Sequence, residues 1–388
     1  MRTICVFTGS RSEYGLLKGL IQKIAKDANF DLKLVVSGSH LSPEFGSTYR
    51  EIEQDGLEID EKVITLVSAD TSTAICKSIG LGLIGYSEAL ERISPDILLI
   101  LGDRFEALAV AIAAISANIP IGHIHGGEST VGAVDEAFRH SITKMSYIHF
   151  TATETYRKRV IQLGEDPERV FNVGALGVEN CKNLRLFDQQ YVEKQMGFSL
   201  GSKNVLITFH PETLGVNSTE KQFQNLLDAI EQFKDITFIF TKTNPDANGR
   251  IINYLIDDYC RQNPNKATSF TSMGQHLYLS TLSIVDVVVG NSSSGIIEAP
   301  SLKTPTVNIG ERQRGRVKAK SIIDCTNDTE SIERSIKKAM QISNKPEKFL
   351  FANPYEKHGT SDVILKLLSS FCIDRNIKKA FYDIPFES

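Results

Sequence analysis

The chain has 388 residues, with 43 Lys and Arg against 47 Asp and Glu for a formal net charge of −4, and a pI near 6.1. Without a basic excess it does not read as a general nucleic-acid or membrane-surface binder, though local basic clusters can still hold an anionic small molecule. Its length suits two domains of ordinary size, and 41% hydrophobic with 23% charged residues is the composition of a soluble globular protein.

Residues 3–8, TICVFT, form a short apolar run rich in β-formers, followed by the turn Gly9-Ser10-Arg11-Ser12-Glu13. Within Tyr14–Ala25, Leu16, Leu17, Leu20, Ile21 and Ile24 recur at helical spacing. LKLVVS (32–37) reads as a second strand ending at Gly38-Ser39-His40, and the glycines between 80 and 85 with Tyr86–Ile93 predict a helix leading into Pro95. ILLIL (97–101) is a central strand, and the helix predicted over 105–117 is apolar on nearly every face, hence buried. Strands near 119–123, 147–151 and 170–173 alternate with helices near 135–145 and 154–163, the rhythm of a parallel, doubly wound sheet.

A polar stretch, LRLFDQQYVEKQMGFSLGSKN, then breaks the rhythm and reads as a linker near 180–200. The pattern restarts with VLITF (205–209), a helix over 220–233, ITFIFT (236–241), a helix over 249–261, VDVVVG (285–290), a helix from about 295 and TVNIG (306–310). The expected architecture is α/β, two Rossmann-like doubly wound domains facing a cleft, over 1–180 and 200–360. A last helix over about 361–370 follows the break at Pro354 and Gly359, and residues 361–388 are expected to return to the first domain. The six cysteines (Cys5, Cys76, Cys181, Cys260, Cys325 and Cys372) include no CxxC pair and read as buried free thiols. No charged-then-apolar leader opens the sequence, and no apolar run approaches the roughly 18 residues of a membrane span. A cytoplasmic, reduced setting is the expectation.

Chemistry-bearing residues concentrate between Ile97 and Lys144. Asp103, Arg104, Glu106, His123, His125 and Glu128 fall at two strand-to-helix turns, with Asp135, Glu136, Arg139 and His140 just behind. In an open parallel sheet such turns border the ligand crevice. Asp103, Glu128 and Asp135 can supply carboxylates to one pocket, where mutual repulsion raises at least one pKa. His-x-His with nearby acids suggests a metal site, but only one of His123 and His125 is expected to reach the pocket, which disfavours it.

Three further turns stand out. Gly9-Ser10-Arg11 opens the first helix and is either a structural turn or an anion contact. Gly290-Asn291-Ser292-Ser293-Ser294-Gly295, with Glu298 a turn later, suits a diphosphate and a ribose, or else a Ser-rich helix cap. Arg312, Arg314 and Arg316 are either cations for that site or an exposed basic loop. His210, ending a strand before Pro211-Glu212-Thr213, can exchange a proton near neutral pH or be a satisfied turn histidine.

TGSRSEYG (8–15), LGDRFEAL (101–108), HIHGGE (123–128), DEAFRHSITKMS (135–146), FHPET (209–213), GNSSSGIIEAPS (290–301) and NIGERQRGRV (308–317) occur in that order. Together they resemble the hydrolysing UDP-N-acetylglucosamine 2-epimerases of bacterial sialic-acid synthesis and the related UDP-N,N'-diacetylbacillosamine 2-epimerases of legionaminic-acid synthesis. The resemblance implies a glycosyltransferase-B-like fold with UDP held mainly by the second domain. It implies phosphate contacts from Arg11 and Arg104 with His210 beside them, and Asn244 near the nucleotide. Ser292 and Ser293 would bind the diphosphate, Glu298 the ribose and Arg312 the nucleotide end. Asp103 and Asp135 would be the acid/base residues, with Arg139 in support. Many relatives carry Glu where this chain has His125, so the third catalytic group is either His125 or Glu128.

The implied reaction converts UDP-N-acetylglucosamine and water to N-acetylmannosamine and UDP through a glycal, with no redox cofactor or metal. UDP-N,N'-diacetylbacillosamine is the alternative substrate. A glycosyltransferase on the same fold, a metal-dependent hydrolase built on His123, His125 and Asp103, and a non-catalytic nucleotide-sugar sensor are the rival readings. A homo-oligomer is expected from the resemblance alone.

Overall fold

The computed structural model describes residues 1–67, 69, 71–212, 218–243, 248–344, 347–372 and 377–385. The chain divides into two compact units. The first comprises Met1–Glu128, Asp135–Glu179 and the chain from Tyr355 onward; the second comprises Ser129–Val134 and Asn180–Pro354.

The first unit is built on seven parallel strands: β1 (Arg2–Thr8), β2 (Phe30–Ser37), β3 (Glu61–Val63), β4 (Ile97–Leu101), β5 (Ile121–Ile124), β6 (Ile148–Thr151) and β7 (Val170–Asn172), in the order β3-β2-β1-β4-β5-β6-β7. The middle strands are near-continuous runs of Val, Ile and Leu because helices cover both faces of the sheet. On one face, Leu17, Leu20 and Ile24 of the helix Arg11–Lys26 pack with Ile364 and Leu368 of the helix Thr360–Ser370. On the other, Tyr86 and Leu90 of the helix Ser72–Ile93 pack with Ala107, Val110 and Ala114 of the helix Phe105–Ser116, whose small side chains allow close approach. Strand order reverses at β1/β4, where Ile4 pairs with Ile97 and Val6 with Leu99. The turns after β1 and β4 therefore flank the switch point where such sheets bind ligands.

The second unit has six parallel strands: β8 (Asn204–Thr208), β9 (Thr237–Thr241), β10 (Ala267–Phe270), β11 (Val287–Gly290), β12 (Thr306–Ile309) and β13 (Ile322–Cys325), ordered β10-β9-β8-β11-β12-β13. Here too the order reverses between the two central strands, and Gly290 at the end of β11 is in register with Thr208 of β8. Gly290 has φ +135°, and a Cβ there would lie 1.9 Å from the Thr208 carbonyl oxygen. Only glycine allows the two strand ends to meet.

Several elements differ from the sequence expectation. The stretch read as a linker near 180–200 contains the helices Leu176–Asn183 and Gln189–Met196. The second of these buries Val192 and Met196 against Leu206, Ile239 and Leu279. At eight residues it shows too few apolar positions for a period to register. β10, the helix Gly274–Ile284, β13 and the helix Thr329–Asn344 were not anticipated. β13 is an edge strand of half-buried and exposed residues, which removes the usual strand signal. The cysteines are all free, but Cys76 and Cys372 are exposed and Cys260 and Cys325 only half-buried, which corrects the expectation of burial. No helix among the described residues is long and apolar enough to cross a membrane.

Replacing Gly290 by Ala should destabilise the protein by about 3 kcal/mol or more, since the backbone of two paired strands must part. Urea melts followed by circular dichroism test this; a midpoint equal to wild type would show that the strand end relaxes at no cost.

Candidate functional site

Each unit carries a cluster of the motif residues at the carboxyl ends of its strands. In the first unit, His123 lies on β5 and is fully buried. Its Nε2 is 2.8 Å from the Gly102 carbonyl oxygen and its Nδ1 3.1 Å from the Thr143 hydroxyl. Nε2–H must donate to the carbonyl, which makes Nδ1 the acceptor for Thr143. Burial pushes its pKa down to about 3, so at neutral pH the ring is an uncharged clamp on the turn that carries Asp103.

His125 lies beyond the end of β5 in the left-handed region, at φ +67°. The pleat of β5, which would put residues two apart on one face, therefore does not set its direction; backbone conformation does. A non-glycine residue held there costs about 1–2 kcal/mol, the kind of strain found at functional sites. Its Nδ1 is 2.9 Å from Glu128 Oε1, while Nε2 is buried with no hydrogen-bond partner among the described residues. With Nδ1–H donating to Glu128, Nε2 is the ring nitrogen left to exchange a proton, as in a carboxylate-oriented histidine base.

Arg139 is 1% exposed and holds this region together. Its guanidinium pairs with the Asp103 carboxylate, donates to Glu136 at 2.7 Å, and donates to the Glu128 backbone carbonyl at 3.1 Å. Asp135 begins the helix Asp135–Met145, one turn before Arg139 and so on the same face. Glu136 also receives His140 Nε2 at 3.2 Å. Asp103, Glu128 and Arg139 are thus brought together, with Asp135 beside them. His123 serves the backbone instead. Among the described residues, no group of three or more His, Cys, Asp or Glu is placed to hold a metal ion.

At the turn after β1, Ser10 Oγ caps the helix Arg11–Lys26 by accepting from the Glu13 amide, and Glu13 Oε2 accepts from the Gly9 amide at 2.6 Å. Arg104 Nε lies 3.2 Å from Glu106 Oε2, and Glu106 is 1% exposed. Glu13 is the carboxyl raised toward neutrality, to about 8: burial drives it up, the Arg104 charge opposes, and the neighbouring Glu106 charge adds to the rise. It was not singled out as a candidate, although the Ser10-x-x-Glu13 capping box was visible in the sequence.

In the second unit, His210 follows β8 and is largely buried, with Nδ1 3.1 Å from the Thr243 hydroxyl. Asn291 Oδ1 accepts from the His210 amide at 2.7 Å, and its Nδ2 donates to the His210 carbonyl at 2.8 Å. The Asn291 carbonyl in turn accepts from Arg312 Nη1 at 3.0 Å and Gln313 Nε2 at 2.8 Å. One asparagine therefore joins the FHPE, GNSSSG and RQRG turns, a role that residue type alone did not signal. Ser292 caps the helix Ser293–Ile297, accepting from the Ser294 amide at 3.4 Å, and the buried Glu298 follows that helix. The helix has five residues, so its dipole is small and the turn's own donors and hydroxyls are what it can offer a ligand. Arg314 is exposed and paired with Glu311; Arg316 is half-buried. Asn244 lies outside the described residues.

Lysine in place of Arg139 cannot reach three acceptors in fixed geometry. Arg139→Lys should cost about 2–4 kcal/mol of stability in denaturant unfolding; a loss within experimental error would mean that the buried cation is not what holds Asp103.

The sequence profile of the UDP-N-acetylglucosamine 2-epimerase family matches residues 22–369. The chain is 43% identical over 323 residues to the GDP/UDP-N,N'-diacetylbacillosamine 2-epimerase (hydrolyzing) of Campylobacter jejuni, covering 83% of this chain and 84% of that one. It is 40% identical to polysialic acid biosynthesis protein P7 of Escherichia coli, covering 99% and 98%. The crystal structure of UDP-GlcNAc 2-epimerase from Neisseria meningitidis bound to UDP-GlcNAc matches with a TM-score of 0.76 at 20% identity, over 95% of this chain and 100% of that one. At that identity the match speaks for the fold, a glycosyltransferase-B-like pair of α/β units. With the match running through both units and every motif cluster after the first turn, this chain belongs to the UDP-N-acetylglucosamine 2-epimerase family.

Proposed function

We propose that the protein is a hydrolysing UDP-sugar 2-epimerase that converts UDP-N-acetylglucosamine and water to N-acetylmannosamine and UDP. The observation that carries this is the pairing, at the ends of β4 and β5, of an Arg139-held Asp103 with a Glu128-oriented His125. These are two proton-exchanging groups at one sheet edge, as a reaction at a sugar carbon requires.

The C2 hydrogen of the substrate is not next to a carbonyl, so direct deprotonation is slow and elimination is the workable route. The C1–O bond breaks with its electron pair leaving on the β-phosphate of UDP, and a protein base takes the C2 proton. The product is a glycal with a C1–C2 double bond. Water then adds its hydroxyl to C1, and a proton is delivered to the opposite face of C2. Asp103 and the His125–Glu128 pair are assigned to the two proton transfers, with Asp135 beside them and Arg139 orienting Asp103. Arg11 and Arg104 are assigned to the departing diphosphate, whose growing charge they stabilise. In the second unit, His210, Ser292 and Ser293 are assigned to the diphosphate, Glu298 to the ribose and Arg312 to the nucleotide end.

The relative named for polysialic acid biosynthesis, alike over nearly the whole chain, supports N-acetylglucosamine as the sugar. The Campylobacter relative's name supports a second reading, in which the sugar is N,N'-diacetylbacillosamine and the chemistry is the same.

Proton NMR of the protein with UDP-N-acetylglucosamine in D2O should show free UDP and N-acetylmannosamine deuterated at C2. No reaction there but turnover of UDP-N,N'-diacetylbacillosamine would select the second reading, and inertness toward both would refute the proposal. Asp103→Asn should lower turnover roughly a thousandfold while UDP still binds in calorimetry; undiminished turnover would remove Asp103 from the chemistry.

A further inference from the structure

The Glu13–Glu106 pair is not used by the reaction as assigned above, yet its geometry is costly and specific. Both side chains abut Gly9: a Cβ at that residue would lie 3.2 Å from Glu106 Cβ and 3.5 Å from Glu13 Oε2. Gly38, left-handed at φ +59°, makes the same allowance, since a Cβ there would lie 2.8 Å from Glu106 Oε1. Two buried acids are thus admitted to one space, and the Arg104 guanidinium pairs with one of them, Glu106. Glu13 Oε2 is occupied by the Gly9 amide, and Oε1 is buried with no hydrogen-bond partner among the described residues. Water-excluded carboxyls this close do not both ionise near neutrality.

Resting on the UDP-sugar reading, we infer that Glu13 is a positioning residue for Arg104. Held as the neutral acid, it leaves Glu106 as the one counter-charge in the pair and keeps the guanidinium available to an anionic diphosphate. An ionised Glu13 would set Arg104 between two carboxylates and add a negative charge beside the substrate's phosphates.

The groups that face Glu13 are known from each side. The turn after β4 brings Asp103, Arg104 and Glu106, the helix Ser72–Ile93 brings the Tyr86 phenol, and Arg11 lies on its own helix. His40, after β2, shares hydrogen bonds with the Thr8 and Thr48 hydroxyls, and burial lowers its pKa to about 4, so it is uncharged at neutral pH. Because the Glu13 pKa is raised, its neutral form prevails below about 8, and its charge appears as the pH rises through that value.

The test is UDP binding by calorimetry against pH, together with infrared difference spectra of the protein alone. Between about pH 6.5 and about pH 9.5 the wild-type Kd for UDP should rise about tenfold. The Glu13→Gln variant should lose that dependence. Glu106→Gln should move it to lower pH, because the Glu106 charge is one cause of the raised value. The infrared spectra should show a protonated-carboxyl band that disappears over the same range and is absent from Glu13→Gln. An unchanged pH dependence in Glu13→Gln, or no titrating carboxyl band in the wild type, overturns the inference alone. Failure of UDP to bind the wild type at any pH overturns the UDP-sugar reading and the inference with it.

Discussion

A cation buried to 1% exposure must be surrounded by acceptors, and in the first unit that requirement falls on Arg139. Its partners come from the turn after β4, the turn after β5 and its own helix, so the three segments are held in one arrangement by one side chain. Unpaired, the guanidinium would carry an uncompensated desolvation penalty, and any displacement of Asp103 moves toward that state. The position of the carboxylate assigned to the chemistry is therefore fixed by the solvation needs of a charge that itself need not touch substrate. His123 reinforces the arrangement from beneath, gripping the Gly102 carbonyl with a ring too deeply buried to protonate.

The second unit solves the same problem around a neutral side chain. Asn291 joins three turns through backbone groups and one amide, and Gln313 assists. The Asn291 amide ties the His210 turn to the Arg312 turn, and the Glu212 carboxylate joins the same two turns by accepting from the Glu311 and Arg312 amides. In the first unit the acids assigned to proton transfer have the buried Arg139 as their counterweight.

How much of this was legible in the sequence depended on whether the signal was local. The apolar runs of β1, β4, β8 and β11 announced themselves because strands covered on both faces need no alternation. The edge strand β13 and the helix Gln189–Met196 did not, since half-exposed residues and eight-residue spans carry little period. At the candidate site, residue types were readable at Asp103, Glu128, Arg139 and His210. The left-handed turn at His125 was not, because nothing in His-Gly-Gly dictates that the histidine joins Gly127 at positive φ while Gly126 does not. The raised pKa of Glu13 was also out of reach: it arises first from burial and then from the charge of Glu106, ninety-three positions away in sequence and adjacent only once β1 and β4 are neighbours.

The helix Thr360–Ser370 belongs to the first unit, where Ile364 and Leu368 complete one face of the sheet's core. The second unit is thus an excursion of the chain between two parts of the first. During synthesis the N-terminal sheet emerges with that face still open, and the segment that closes it emerges more than a hundred residues after β7, behind the whole of the second unit. The unit whose sequence comes first is the one that must finish last. Its exposed Leu and Ile surface is the part of this protein that a nascent-chain chaperone has most reason to cover.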